Sequence, residues 1–288
     1  MNTEQSFESY RPLLFSIAYR MLGSAMEAED MVQEAFRRDR TVAPEGVESP
    51  RALLGTIVAR LCLNYLESAR VQREAYIGPW PPEPLLTGDD LLRTGEDDAS
   101  ALESISLAFL VLLENLTPSE RAVFLLHEVF DFGYDEVARI VDKDEAACRQ
   151  LFSRAKKHIA EHRPCFHSTP EEHGRLLERF LQAVTQGEPE GLMQLLADDV
   201  TMWADGGGKA RGAATQPLHG PAAVARFVLA STWFAGPDFR VEFADVNGRK
   251  GVVARTNGRA IFVLSIEVDQ GRIRTVRVIG NPDKLGQV

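Results

Sequence analysis

The sequence predicts two all-helical segments followed by a C-terminal α+β domain. Apolar residues recur at helical spacing through the first 163 residues, whereas the last third of the chain changes to the alternation of strands. A stretch rich in proline, glycine and acidic residues at 76–102 divides the helical part in two. Pro164 and Pro170 mark the next boundary. A chain of 288 residues is long enough for two or three such domains.

The first segment, residues 1–75, contains three predicted helices. Two of them, at about 7–22 and 26–38, are separated by Gly23 and Ser24. The second of these is strongly acidic and polar. The third begins at Pro50, because proline is well suited to the first turn of a helix. These helices predict a small helical bundle.

The second segment, residues 103–163, ends in a predicted helix-turn-helix at 134–159. Asp144 suits the N-cap of the last helix because its carboxylate can accept hydrogen bonds from free backbone amides. Asp142 precedes it in the turn, and aspartate tolerates left-handed geometry better than most residues. The buried stripe of the last helix is predicted to be Cys148, Leu151, Phe152 and Ala155.

The opposite face of this last helix predicts contact with DNA. Its residues combine arginine and glutamine, which bind base edges, with cations that bind phosphate. They are Arg149, Gln150, Ser153, Arg154 and Lys157, with Lys157 expected on phosphate. An ordinary amphipathic hairpin with a solvated charged face is the alternative. The formal net charge of −10 argues against loose, non-specific DNA binding by the chain alone.

The third segment, residues 171–288, predicts helices first and then an antiparallel sheet. Helices are expected at 171–187, 189–197 and 221–232. Strands are expected at 200–205, 239–246, 251–256, 260–268 and 273–280. This order is typical of an α+β fold.

These segments resemble the sigma-70 family in its short extracytoplasmic-function type. The sequences AEDMVQEAFRR at 28–38 and PRALLGTIVARLCLNYLESARVQRE at 50–74 are similar to region 2. The sequence from Leu112 to Ile159, which includes TPSERAVFLLHEVFDFGYDEVA, is similar to region 4. YIGPWPPEPL at 76–85, DGGGK at 205–209 and NPDKL at 281–285 resemble the SigJ-like group, in which a cone-shaped SnoaL-like domain follows region 4.

The resemblance implies an alternative sigma factor that binds the β′ and β subunits of core RNA polymerase and promoter DNA. It assigns Asp30, Gln33 and Glu34 to polymerase binding and the helix-turn-helix to the upstream promoter element. Opening of the downstream element is assigned to the loop at 39–49, which here lacks the aromatic residue common in relatives. Arg51, Arg60 and Asn64 are the accompanying candidates, although they equally suit a solvated helix surface.

The same resemblance implies that the C-terminal domain regulates the arrangement of regions 2 and 4 through the linker. The residues concerned form three groups. They are Trp80 in the linker; Asp205, Gly206, Gly207, Gly208 and Lys209 in one loop; and Asn281, Pro282, Asp283, Lys284 and Leu285 in the tail. A tryptophan in a proline-rich segment is expected to need a pocket, on the C-terminal domain or on region 2. The acidic residues of the linker are compatible with two roles, mimicry of nascent RNA by their negative charge and a plain spacer.

Other functions are considered for the C-terminal domain. Trp203, Asp205 and His219 could line a cavity, and an Asp–His pair could perform acid–base chemistry, as in an enzyme fused to a DNA-binding module. A DNA-binding regulator that senses a small molecule is a second alternative. His158, His162, Cys165 and His167 could bind zinc but better suit a fraying helix end. No cofactor, metal or catalytic residue is therefore expected.

The expected compartment is the cytoplasm. The sequence has no apolar run of membrane-spanning length and no signal-peptide pattern at its N-terminus, so no membrane partner is expected. Its three scattered cysteines suit reducing conditions.

Overall fold

The computed structural model describes residues 3–39, 49–74, 80–87, 105–162, 168–210, 213–231 and 238–288. Their contacts divide the chain into two compact units. The first unit holds the helices of the two N-terminal segments. The second holds everything from residue 168 onward together with the described linker residues 80–86. This part of the linker therefore packs with the C-terminal domain.

Three helices form the first half of the N-terminal unit. They are α1 (Thr3–Leu22), α2 (Ala25–Asp39) and α3 (Pro50–Glu74). Ser49 caps α3 by accepting a hydrogen bond from the amide of Ala52. Tyr19 and Val58 are among the buried residues between them. The predicted helical bundle is confirmed. None of the described helices is long and apolar enough to cross a membrane.

The second half of this unit begins with α4 (Leu107–Glu114) and α5 (Pro118–Phe124). A π-helical turn at Leu125–Val129 follows, then α6 (Tyr134–Val141) and α7 (Glu145–His162). The predicted helix-turn-helix is confirmed. Asp142 ends α6 with φ 54° and ψ 52°, in the left-handed region. Asp144 caps α7 by accepting a hydrogen bond from the Ala147 amide at 2.7 Å.

The two halves of the N-terminal unit are packed together. Phe132, in the loop before α6, is fully buried against α3, where Gly55 leaves room for its ring. A Cβ at Gly55 would lie only 2.7 Å from the Phe132 ring. The buried guanidinium of Arg121 donates to the carbonyl of Met21 at 2.6 Å. It also pairs with Glu114 at 3.1 Å, so it joins α5 to both α1 and α4.

The C-terminal unit is a six-stranded sheet with helices on one face. The helices are α8 (Pro170–Gln186), α9 (Pro189–Leu195) and α10 (Pro221–Ser231). The strands, in the spatial order β2-β1-β6-β5-β4-β3, are β1 (Leu196–Asp205), β2 (Leu218–His219), β3 (Phe239–Val246), β4 (Arg249–Thr256), β5 (Arg259–Asp269) and β6 (Arg272–Ile279). Among the described strands, β1 and β6 pair in parallel and the other neighbours are antiparallel, so the expectation of an antiparallel sheet is wrong for this one pair. The predicted α+β fold is confirmed.

One helix end differs from its prediction, and one strand was not predicted. The helix expected at 189–197 ends at Leu195, because Leu196 is buried and pairs with Ile273 of β6. Sheet pairing thus overrides the helical spacing of the leucines. Strand β2 has only two residues, too few for an alternating pattern to predict it.

Candidate functional site

The five residues predicted to bind DNA lie on one face of α7. Arg149, Gln150, Ser153, Arg154 and Lys157 are all exposed. At about 100° per residue they cover an arc of roughly 140°. Cys148, Leu151 and Ala155 occupy the other side and are buried. The helix therefore combines a packed side with a continuous polar side.

The cations of this face have weak partners within the chain. Arg149 donates to Glu145 at 2.7 Å, Arg154 lies 3.6 Å from Glu120, and the Lys157 amine is 3.8 Å from Glu161. All three cationic side chains are more than half exposed. Exposed ion pairs contribute at most about 1 kcal/mol, which applies to the pairs of Arg149 and Lys157, whereas Glu120 is only 17% exposed. The pairs of Arg149 and Lys157 can therefore be broken at small cost.

The residues assigned to polymerase share a face of α2. Asp30 and Gln33 are exposed, and Glu34 is half-buried. Glu34 accepts from Arg37 and Arg38, each at 2.9 Å. The hydrogen bond from Arg38, followed by that from Arg37, holds the pKa of the Glu34 carboxyl below its ordinary value. The face thus presents an ionised carboxylate held between two guanidinium groups.

Two cations predicted for the downstream promoter element contact the other half of their own unit. Arg51 donates to the carbonyl of Phe130 at 2.7 Å. Arg60 donates to the carbonyls of Arg139 and Ile140 at 2.5 and 3.4 Å, at the C-terminal end of α6. Cations are stabilised at that end of a helix. Asn64 is exposed one turn further along α3. The loop residues 40–48 lie outside the described residues.

Lys284 lies at the centre of the contacts that hold the linker. Its amine is 2.9 Å from Asp205 and donates to the carbonyl of Pro81 at 2.6 Å. It also lies 3.9 Å from the centre of the Trp80 ring. The side chains of Lys284 and Asp205 are 4% and 0% exposed. The ammonium group is therefore surrounded by a carboxylate, a carbonyl and an aromatic face. Lys284, Asp205, Trp80 and Pro81 are called the linker clamp below.

A second attachment of the linker was not predicted from the sequence. The amide of Leu85 donates to Oδ1 of Asn247 at 2.9 Å, and the Asn247 amide donates to the Leu85 carbonyl at 2.8 Å. Leu86 forms an antiparallel bridge with Val246. Asn247 is buried with φ 50° in the two-residue turn between β3 and β4. The Asn247-Gly248 pair is a strong hairpin signal that could have located this turn.

The glycine-containing loop and the tail form one structure. Oδ1 of Asp205 accepts from the Gly207 amide at 2.9 Å. Gly207 has φ 58°, and a Cβ there would lie 2.5 Å from the Asn281 side chain. The exposed pair Lys209–Asp283, at 2.5 Å, joins the same two segments. Other members are Gly206, which abuts Ala213, exposed Gly208 at φ 70°, Pro282 at the start of a 3-10 turn, and buried Leu285.

Asp205 and His219, the candidates for an acid–base pair, do not lie together in the structure. His219 pairs with Thr201, four residues before Asp205 on β1, and its Nδ1 lies 3.3 Å from the Thr201 hydroxyl. Four strand residues span roughly 13 Å. The Asp205 carboxylate is instead engaged with Lys284. The considered zinc ligands Cys165 and His167 and the His162 side chain lie outside the described residues. Among described residues, no group of three metal-binding side chains occurs.

Comparison with known protein families matches a family model to each of the three segments. The model of sigma-70 region 2 matches residues 6–71, and that of sigma-70 region 4 matches residues 106–159. The model of the SnoaL-like domain matches residues 177–279. The helical unit thus joins the two promoter-binding regions of a sigma factor, and an α+β domain of a different family follows them.

Two relatives from Mycobacterium tuberculosis span nearly the whole chain. The ECF RNA polymerase sigma factor SigJ is 36% identical over 97% of this chain and 92% of its own length. The probable ECF sigma factor SigI is 30% identical, covering 97% and 93%. The crystal structure of SigJ superposes with a TM-score of 0.75 at 34% identity and covers 97% of both chains.

The fold and the matches to sigma-70 regions 2 and 4 define a promoter-recognition protein. More specifically, the chain belongs to the extracytoplasmic-function sigma factors of the sigma-70 family, and it carries a C-terminal SnoaL-like domain. It is an alternative sigma factor, a class that binds core RNA polymerase and promoter DNA and is not itself enzymatic. The predicted family is confirmed.

Proposed function

We propose that this sigma factor divides its task among four surfaces. Asp30, Gln33 and Glu34 on α2 bind the β′ subunit, and further contacts reach the β subunit. The polar face of α7 binds the upstream promoter element. Arg51, Arg60 and Asn64 on α3 serve the downstream element. The C-terminal unit regulates initiation by holding the linker. Since core polymerase works on the chromosome, the protein acts in the cytoplasm.

The exposed face of α7 supports the assignment of upstream recognition. Its two arginines flank Gln150 and Ser153, and both side chains remain more than half exposed beside their ion-pair partners. The major groove admits an α-helix, and arginine binds guanine there through two hydrogen bonds. Each such contact discriminates against a wrong base by about 1–3 kcal/mol.

The double substitution Arg149→Ala/Arg154→Ala is expected to abolish promoter-specific transcription. Loss of two base or phosphate contacts should weaken promoter binding about 30-fold or more, since each 1.4 kcal/mol is tenfold. Run-off transcription with core polymerase on the protein's own upstream region measures this. Arg179→Ala, which removes an exposed arginine from α8, is the matched control. Equal transcription by both variants would contradict the assignment.

The double substitution Asp30→Ala/Gln33→Ala is expected to lower affinity for core polymerase at least about tenfold, because a charged and a polar contact are lost together. Titration of labelled protein with core polymerase measures the affinity, and Glu128→Ala on another exposed surface is the control. A DNA-binding regulator that never engages polymerase would show no binding by the unsubstituted chain. Unchanged affinity in the variant would remove α2 from the proposed interface.

The contacts of the linker clamp support the proposed regulatory role of the C-terminal unit. The linker connects region 2 to region 4, and the buried amine of Lys284 contacts both its tryptophan ring and its backbone. Holding residues 80–86 shortens the span of free chain between the two regions. The C-terminal unit thereby limits how far regions 2 and 4 can separate on a promoter. Glu83 is buried in this segment, which does not suit exposure to RNA.

The contacts of Arg51 and Arg60 support a rearrangement on promoter binding. Both guanidinium groups donate to carbonyls of region 4 in the free chain. They reach the downstream element only when region 4 moves away from α3. Separation of the two regions and exposure of the downstream surface are therefore one event in this proposal.

A further inference from the structure

The C-terminal unit encloses an apolar cavity of about 450 Å³ between the sheet and its helices. This volume lies within the usual range of ligand-binding pockets, about 300–1,000 Å³. Phe180, Val184, Ala204 and Phe262 are among the lining residues. We propose that this cavity binds a neutral, largely apolar small molecule, and that its occupancy is sensed by the linker clamp.

The exposed residues beside the cavity mark where a ligand enters. Val241 on β3 and Ile261 on β5 line the cavity and are 38% and 39% exposed. Large aliphatic side chains exposed together at the mouth of an apolar cavity are unfavourable in water. A ligand that covers them would remove this apolar surface from solvent.

The described lining favours an uncharged ligand. None of the described lining residues is lysine, arginine or histidine, so this part of the wall offers a buried anion no cationic partner. The charged group that the described residues contribute, Asp205, is already engaged by Lys284 and the amide of Gly207. Burial of an unpaired charge costs several kcal/mol. The Thr185 hydroxyl in the lining already donates to the Leu181 carbonyl at 2.9 Å, so it is left as an acceptor. The ligand class is therefore an apolar molecule with at most a few neutral polar atoms.

The cavity shares part of its wall with the linker clamp. Asp205 and Gly280 both line it, and the Gly280 amide donates to the Asp205 carbonyl at 2.8 Å. Asp205 is the carboxylate partner of Lys284, and Gly280 precedes the tail that carries Lys284. A ligand that shifts either residue therefore displaces the amine that holds Trp80 and Pro81. This coupling rests on the proposed regulatory role, whereas ligand binding does not.

The binding test uses the full-length protein and the neutral fluorescent probe N-phenyl-1-naphthylamine. We expect saturable binding at one site and displacement by 1-decanol at least about tenfold more readily than by decanoate. Ala204→Leu and, independently, Val184→Phe fill the cavity and should weaken probe binding at least about tenfold. Ala222→Leu, at an exposed position of α10 outside the lining, is the matched control. Two cavity variants, each checked by circular dichroism, separate a lost site from a lost fold.

The coupling test uses a variant in which Trp80 is the only tryptophan. The sequence contains three tryptophans, so Trp203→Phe and Trp233→Phe leave Trp80 as the reporter. Saturating 1-decanol should shift its emission, and Ala204→Leu should remove the shift.

Absence of saturable binding, equal displacement by decanoate, or probe binding unaffected by both cavity variants would overturn the proposed site. Unchanged Trp80 emission at full occupancy would overturn the coupling. If decanol binds and shifts Trp80 yet never alters run-off transcription, the regulatory role fails and the ligand site stands.

Discussion

Replacement of Lys284 by methionine is expected to destabilise the C-terminal unit by about 3–5 kcal/mol, the usual cost of removing one partner of a buried ion pair. The substitution leaves the fully buried carboxylate of Asp205 without its cation. It also removes the donor to the Pro81 carbonyl and the cation over the Trp80 ring. Urea unfolding followed by tryptophan fluorescence measures the loss, because all three tryptophans follow residue 79.

A neighbouring ion pair supplies the control for this prediction. Lys209 and Asp283 are paired at 2.5 Å, but each side chain is 58% exposed. Lys209→Met should therefore cost at most about 1 kcal/mol. The double variant Asp205→Leu/Lys284→Met should recover most of the lost stability, because the uncompensated charge is removed. Equal losses for Lys284→Met and Lys209→Met would show that burial of the first pair has no energetic consequence.

The double variant also tests the regulatory role with most of the stability retained. It retains a folded C-terminal unit but has no amine to hold the linker. Run-off transcription by this variant should differ from that of the unsubstituted chain, whereas Lys209→Met should match it. Identical transcription by all three proteins would remove the linker clamp from regulation.

Much of the fold was predictable because its signals are local. Helical spacing, the proline at position 50 and the cap at Asp144 lie within a few residues of the helices they define. The left-handed Asp142 was likewise predictable from the tolerance of aspartate for that conformation. Strands β3 to β6 are rich in valine, isoleucine and phenylalanine, and their predicted bounds lie within two residues of the observed ones.

The contacts between distant segments were not predictable from one sequence. Arg51 and Arg60 have the spacing of exposed helix cations, and only the folded chain shows their carbonyl partners about 80 residues away. The Asn247–Gly248 pair indicates a turn, but nothing local to it indicates that Asn247 binds the backbone of Leu85, which lies 162 residues earlier. The buried Arg121 resembles an ordinary residue at a helix start, since its partner Met21 lies 100 residues earlier.

Phe132→Ala is the second substitution with a large expected effect, about 3–5 kcal/mol on the stability of the N-terminal unit. The ring is fully buried, contacts α3 at Gly55, and carries the Arg51 guanidinium 5.3 Å from its centre. Its loss leaves a cavity where regions 2 and 4 meet. Urea unfolding followed by far-ultraviolet circular dichroism measures the change. Met26→Ala, at a side chain that is 54% exposed, should change stability by no more than about 0.5 kcal/mol.

A substitution at Gly55 tests whether the stability lost in Phe132→Ala comes from the contact between region 2 and region 4. Gly55→Ala places a Cβ 2.7 Å from the Phe132 ring, so it should destabilise the unsubstituted chain. In the Phe132→Ala background the ring is absent, and the added methyl group enters the space it leaves. The two changes should therefore couple favourably by at least about 0.5 kcal/mol in a double-mutant cycle. Simple additivity would mean that Phe132 stabilises region 4 alone, and that the two regions are joined mainly by the hydrogen bonds of Arg51, Arg60 and Arg121.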